Sequence, residues 1–252
     1  MESIQIYLNS NSADKYFDNN ISNCEYKLPF IETPDGFHLY LSVVNCQIPY
    51  SFYNINSSNN KLVYQLFQII NNVETYFTAV TITIPVGNYS ITTLMTTLKS
   101  LLTSSFTLSY NNTSNKLTFT HSTYNFILSS TSTCLSILGF SGSSLKSTSL
   151  NLTSDSCVNM ITIKNIQIQS NFVTYNISKS LVNNFSILCC IPINHVPFSM
   201  ITYNNYNKFR TNLFVNHICH VRIKLTDEFG NLLDLNGCHY SLTLQLDVEA
   251  FK

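Results

Sequence analysis

Over much of the chain apolar and polar residues alternate with a period of two. In Thr81-Ile82-Thr83-Ile84, and again across 241–248, every second side chain is apolar. A strand with one buried and one solvated face carries this pattern. β-Branched and aromatic runs predict strands at 4–8, 24–30, 37–48, 61–70, 75–84, 159–169, 185–193, 218–226 and 239–248. Turn chemistry punctuates them at Pro34-Asp35-Gly36, Gly230-Asn231 and Asn236-Gly237. The first strand is short and the other eight are long. Two antiparallel sheets packed face to face accommodate them, so the expected class is an all-β sandwich.

The period changes over 85–145. Ser90 is a good N-cap residue. Ile91, Leu94, Met95, Leu98, Leu101 and Leu102 then fall on one face of a helix of about three turns. The segments 106–110 and 116–121 alternate around Asn111–Asn115 as a hairpin. A third strand is expected at 124–128 and a short helix at 133–138, ended by Gly139. The predicted organisation is a discontinuous sandwich domain, 1–84 and 146–252, with a small α+β insertion at 85–145. The Ser/Thr-rich stretch 141–155 reads as a flexible return linker.

Composition sharpens this picture. Charged residues are only 10% of the chain, 13 basic against 13 acidic. Soluble domains average about 25%. Asn (32), Ser (32) and Thr (25) carry the polarity instead. Abundant Asn, Ile, Tyr and Phe, with little Gly, Ala and Arg, indicate AT-rich coding. That bias also favours Lys, so it does not explain the missing charge, whereas a surface packed against neighbours does. Zero net charge argues against a nucleic-acid or anionic-membrane partner. No apolar run is long enough to span a bilayer, and no secretory signal is visible at the first residues. The eight Asn-x-Ser/Thr sites are about as many as chance gives. The eight cysteines form no CxxC pair and sit mostly in strand-like surroundings. They read as buried reduced thiols of a protein folding in a reducing compartment.

No constellation supports catalysis. His217, Cys219, His220, Cys238 and His239 have the right types for zinc. The first three open one strand and the last two open the next. If those strands pair antiparallel, the groups stand roughly 25–30 Å apart at ~3.3 Å per residue. Asp227, Glu228 and Asp234 match no calcium loop. They flank the turn Phe229-Gly230-Asn231, which Asp227 is placed to cap. There is no G-x-S-x-G elbow and no Gly-rich phosphate loop. His195, before Val196-Pro197, reads as a loop residue. Tyr206, Lys208 and Arg210 form a small basic-aromatic cluster suited to a rim contact. The helix at 90–102 lacks the Lys/Arg-rich polar face of an interfacial membrane helix, so packing on the hairpin is expected. No catalytic residue, cofactor or metal is expected, and the chain reads as non-enzymatic.

Two stretches are more specific. One runs Ile84-Pro-Val-Gly-Asn-Tyr-Ser-Ile-Thr-Thr-Leu-Met-Thr-Thr-Leu98, then a hairpin, then Leu138-Gly139-Phe140. The other runs from His220 to Val248: a late strand, an acidic turn with Gly-Asn, Leu-Asp-Leu-Asn-Gly, and a final alternating strand. Together they resemble the penton and minor capsid proteins of virophages and Polinton-like viruses. The resemblance covers about a third of the chain and rests on turn and core patterns. It implies a single jelly roll, five copies of which close an icosahedral vertex as a homopentamer. It also implies contact with the double-jelly-roll major capsid protein. The family offers no catalytic residue to carry over.

The expected role is therefore a structural capsid protein of a virion, a penton assembled in the host cytoplasm. The insertion would project outward, where it could meet a host surface. The alternatives are a minor capsid or cement protein, and a β-sandwich receptor- or glycan-binding module of the fibre type. A β-sandwich hydrolase is the remaining class, and no cluster of catalytic types favours it.

Overall fold

The computed structural model describes residues 2–34, 36–141, 145–172, 186–213, 215 and 217–250. The chain forms two compact units, Met1–Phe52 with Ile163–Lys252, and Tyr53–Thr162.

The first unit holds β1 (Glu2–Asn9), β2 (Lys15–Phe17), β3 (Asn20–Glu32) and β4 (Phe37–Pro49) from the N-terminal segment. The C-terminal segment adds β12 (Asn165–Ser170), β13 (Ser186–Pro192), β14 (Met200–Asn204), β15 (Thr211–Leu213), β16 (His217–Thr226) and β17 (Ser241–Ala250). One sheet runs β1-β17-β4-β14, with β15 also on β4; the other runs β13-β12-β16-β3-β2. Every pairing is antiparallel. Early strands pair with late ones: β1 with β17 (Glu2↔Val248 to Asn9↔Ser241) and β3 with β16 (Glu32↔His217 to Asn23↔Lys224). This nested connectivity is that of a single jelly roll. Alternation does the packing. Leu242, Leu244, Leu246 and Val248 of β17 turn into the core, as do Val221, Ile223 and Leu225 of β16. Tyr26 and Tyr240 meet inside it, with 3.2 Å between their hydroxyls.

The second unit lies in the chain between β4 and β12. It contains β5 (Lys61–Ile70), β6 (Val73–Tyr76), β7 (Val80–Thr83), α1 (Ile91–Leu101), β8 (Phe106–Asn111), β9 (Lys116–His121), β10 (Asn125–Leu128) and β11 (Asn151–Thr153). β5 is the hub of one sheet, with β10 on one side and β6 and β7 on the other. The second sheet is β11-β9-β8. Ser90 Oγ accepts from Thr93 N–H at 3.2 Å, and Thr93 Oγ1 accepts from Ser90 N–H at 2.9 Å, closing a capping box. Leu94 and Leu98 of α1 are fully buried with Leu108, Leu117, Phe119 and Phe126. The helix thus packs on its own hairpin.

Several expectations are corrected. The unit boundaries are 53 and 162 rather than 85 and 145. Leu62, Tyr64, Ile82 and Ile84 pack into the second core, which carries 61–84 out of the sandwich. The second unit, longer than the expected insertion, has a core of its own, which about 60 residues would hardly supply. The run 75–84 is two strands, β6 and β7, with Phe77, Thr78 and Ala79 between them. The strand at 124–128 pairs with β5 instead of the hairpin. The stretch 133–138 forms a single turn, not a helix. Phe140 N–H donates back to Leu135 O at 2.9 Å across Gly139, whose φ is +83°. Part of the supposed linker is ordered by pairing, because β11 adds to β9. Residues 142–144 of that linker lie outside the described residues.

Gly139 and Gly237 make a controlled pair. Both have positive φ, +83° and +79°. A Cβ on Gly139 would overlap the Ser156 carbonyl and crowd the Cys157 backbone, whereas a Cβ on Gly237 meets nothing within 4 Å. Gly237→Ala is expected to cost about 1 kcal/mol from conformation alone. Gly139→Ala should cost clearly more, about 2–4 kcal/mol, because backbone must move. Urea unfolding of the two variants measures the difference.

Candidate assembly surfaces

The first unit presents apolar side chains from loops whose backbone is pinned. Between β13 and β14, Phe198 N–H donates to Tyr50 O and Tyr50 N–H donates to Ser199 O, both at 2.9 Å. Ser199 Oγ donates to Val196 O at 2.6 Å. Phe198 is thereby held at φ +66°, a region aromatic residues rarely enter. Its ring is 77% exposed, and Val196 is 72% exposed. Between β14 and β15, Asn205 closes the loop by donating from Nδ2 to Phe209 O (2.6 Å) and accepting from Phe209 N–H (2.9 Å). Tyr206 is left 85% exposed at the tip.

Beside this loop lies a cleft of about 580 Å³ on the outer side of β4 and β17, lined by Ser42, Val44, Asn205, Lys208, Arg210 and Asp247 among others. Arg210 grips Glu249 with two bonds of 2.6 and 2.9 Å and lies 4.3 Å over the Tyr40 ring. Asp247 accepts from Ser3 Oγ (2.6 Å) and Gln245 Nε2 (2.9 Å) and stands 3.7 Å from Arg210. The expected cluster of Tyr206, Lys208 and Arg210 is only partly joined. Lys208 and Arg210 share the cleft, and Arg210 is engaged by carboxylates of its own chain.

The metal candidates are not gathered. β16 and β17 belong to different sheets, so the separation is set by the two layers and not by an antiparallel pairing of these strands. His217 stacks on Phe30 with centroids 5.5 Å apart, Cys219 Sγ lies 3.4 Å from His220 Nδ1, and His239 Nδ1 meets Ser10 Oγ at 3.0 Å. Among the described residues no group of three His, Cys, Asp or Glu could hold a metal ion. The acidic residues serve backbone instead. Asp227 Oδ1 accepts from Phe229 and Asn231 N–H at 2.9 and 2.8 Å, capping the turn. Glu228 accepts from Lys164 and Asn165 N–H, and Asp234 from Asn236 N–H. Asp227 is buried. His195 lies in the β13–β14 loop, its Nδ1 buried without a partner among the described residues.

Sequence reasoning missed Phe198. Its signal is an aromatic directly after proline in a polar loop, which alternation analysis does not read. The cysteines are also less buried than expected. Cys24, Cys46 and Cys134 are buried, Cys189 is half-buried, and Cys157, Cys190, Cys219 and Cys238 are exposed. All eight are free thiols.

No family model matches the chain, and no curated protein sequence matches it. The comparison of folds decides more. The chain shares its fold with the mavirus penton protein. Its selenomethionine-labelled crystal structure matches over 99% of this chain and 100% of that one, with a TM-score of 0.55 and 11% identity. VP17, a capsid protein of bacteriophage P23-77, aligns over 99% and 98% at 9% identity, but a TM-score of 0.19 carries no argument. The penton resemblance read from sequence therefore holds at the level of the fold. Both motif stretches lie at structural joints of that penton-like fold. Ser90 and Gly139 bracket the helix and hairpin of the second unit, and Asp227 caps the link between the two sheets.

Thiol chemistry follows from burial. The thiols of Cys46 and Cys134 are each pushed by burial from the usual 9.0 up to about 12. An alkylating reagent near pH 8 is expected to label Cys157, Cys190, Cys219 and Cys238 in the native protein, and Cys46 and Cys134 only after denaturation. The folded state favours the protonated thiols. Their stabilisation is complete below about pH 9 and is lost as pH rises toward 12. The melting temperature should accordingly stay level near neutrality and fall above about pH 9. Cys46→Val should fall less steeply.

Proposed function

We propose that this chain is a structural, non-enzymatic viral capsid protein, a penton whose copies form homopentamers at icosahedral five-fold vertices and contact the double-jelly-roll major capsid protein. The observation that carries the reading is the match of the whole chain to the mavirus penton fold. The scarcity of charge supports it: 26 charged residues in 252 leave broad neutral walls. Neutral walls bury against copies of themselves with little desolvation cost. The carboxylates of the first unit's late turn hold backbone, and Arg210 in its cleft is paired with Glu249 of its own chain.

A ring of five needs a heterologous contact, one patch against a different patch of the next copy. Val196, Phe198 and Tyr206 provide the apolar side of such a contact, on loops held by Tyr50 and Asn205. Virion location and assembly in the host cytoplasm belong to the same reading.

Native mass spectrometry and negative-stain imaging of the purified chain test it. Five-fold rings are expected, with little change between low and high ionic strength, because few charges are there to be screened. A strictly monomeric protein at high concentration would overturn the pentamer. Phe198→Glu should weaken ring formation by about 10-fold or more while leaving the melting temperature within a few degrees.

A further inference from the structure

The second unit leaves one sheet edge open. β6 and β7 both pair with β5 and have no further strand neighbour among the described residues. Register decides which backbone groups face the open side. Ile84 N–H donates to Asn60 O at 2.8 Å, so Ile82 and Val80 also turn their amides and carbonyls toward β5. Thr81 and Thr83 turn theirs away. On β6, Phe77 N–H donates to Leu66 O at 2.9 Å, which by the same alternation points Glu74 and Tyr76 outward. These outward groups meet no backbone partner among the described residues.

The edge is also unguarded. Residues 69–81 are exposed without a break, including Ile69, Ile70, Val73, Phe77 and Val80. Sheets in soluble proteins block such edges with Lys, Pro or a cover. Here no charged residue occurs from Thr75 to Leu98. Glu74, the one carboxylate on the edge, is engaged by Lys146 and by Tyr76 Oη–H at 2.5 Å.

We propose that the β6–β7 edge is a docking site for an extended polypeptide strand donated by a different protein. A row of alternating unpaired N–H and C=O groups is complementary to another strand and to little else. Side chains state what that strand carries. It is uncharged, with β-branched residues beside Val80 and Ile82 and hydroxyl residues beside Thr81 and Thr83. Each described strand of this chain is already committed to a sheet of its own unit, so none of the described strands is spare to donate. Pairing two copies edge to edge is isologous and closes at two, whereas a vertex needs a ring of five. On that last point alone the choice of donor rests on the penton reading.

The test uses the full chain and a labelled synthetic peptide of about seven alternating Val and Thr residues, beside the same peptide N-methylated at alternate amides. Fluorescence anisotropy reads binding, and hydrogen exchange reads protection at Thr81 and Thr83. Thr81→Pro removes an outward N–H that β5 does not use, the position where an edge tolerates proline. Thr83→Lys installs a guarding charge without touching the backbone. The plain peptide is expected to bind and to protect both threonine amides. N-methylation and each variant should weaken binding about 10-fold or more. Absent binding, equal binding of the two peptides, or binding unchanged in Thr83→Lys would overturn the proposal. A two-copy species that Thr81→Pro or Thr83→Lys abolishes would overturn it in favour of a second copy. Native mass of the same samples separates the two ideas. Loss of the pentamer with peptide binding retained sinks only the vertex reading, and a pentamer without peptide binding sinks only the docking edge.

Discussion

The jelly roll depends on the connection between β16 and β17. These strands are neighbours in sequence, yet each is an inner strand of a different sheet: β16 between β3 and β12, β17 between β1 and β4. The chain must cross from one layer to the other and keep both registers. It does so over 227–240 with a capped turn at Asp227, a bridge from Thr226 to Leu232, and the buried side chains of Leu233, Leu235 and Tyr240. Glu228 ties the turn to the start of β12, and Ser51 Oγ donates to Leu235 O at 2.6 Å. Ser10 binds the far end through Tyr240 N–H at 2.9 Å. Partners 63 to 230 residues away converge on this one connection. Closing such long loops is slow and costly in entropy until the core is buried, so the connection pays off only once both sheets are in place.

Amides and hydroxyls do the work that ions do in most proteins of this size. Gln169 donates to Gln167 (3.3 Å) and Thr226 (2.7 Å) on a sheet that buries all three. Asn54 bridges the loops around Tyr89. Neutral pairs satisfy buried polar atoms without the desolvation penalty of charge. They also leave a surface whose interactions salt barely screens.

The second unit shows why a jelly roll accepts a large insertion. It enters between β4 and β12, at the end of one sheet's strand and before the other's, and it brings its own core around Phe119 and Phe126. The host strands keep their registers, so the guest is free to carry a separate surface. Its open edge at β6 and β7 is such a surface, and the pinned loop at Phe198 is another on the host.

Much of this was legible in the sequence, for local reasons. Alternation placed the inward faces of β16 and β17, Ser90 marked the N-cap of α1, Gly139 marked where the 133–138 segment ends, and Asp227 capped its turn. Each depends on residues a few positions apart. The short strands β2, β11, β14 and β15 escaped, since three to five residues hold too little periodicity. The exchange of 61–84 from sandwich to insertion escaped for a deeper reason. A period of two states which side of a strand is apolar, and it is silent on which apolar surface that side will meet. Sheet membership, the gathering or scattering of His217 and His239, the outward ring of Phe198 and the bare edge of β7 were decided by long-range burial, where distant segments compete for the same neighbours and only the folded whole settles the pairing.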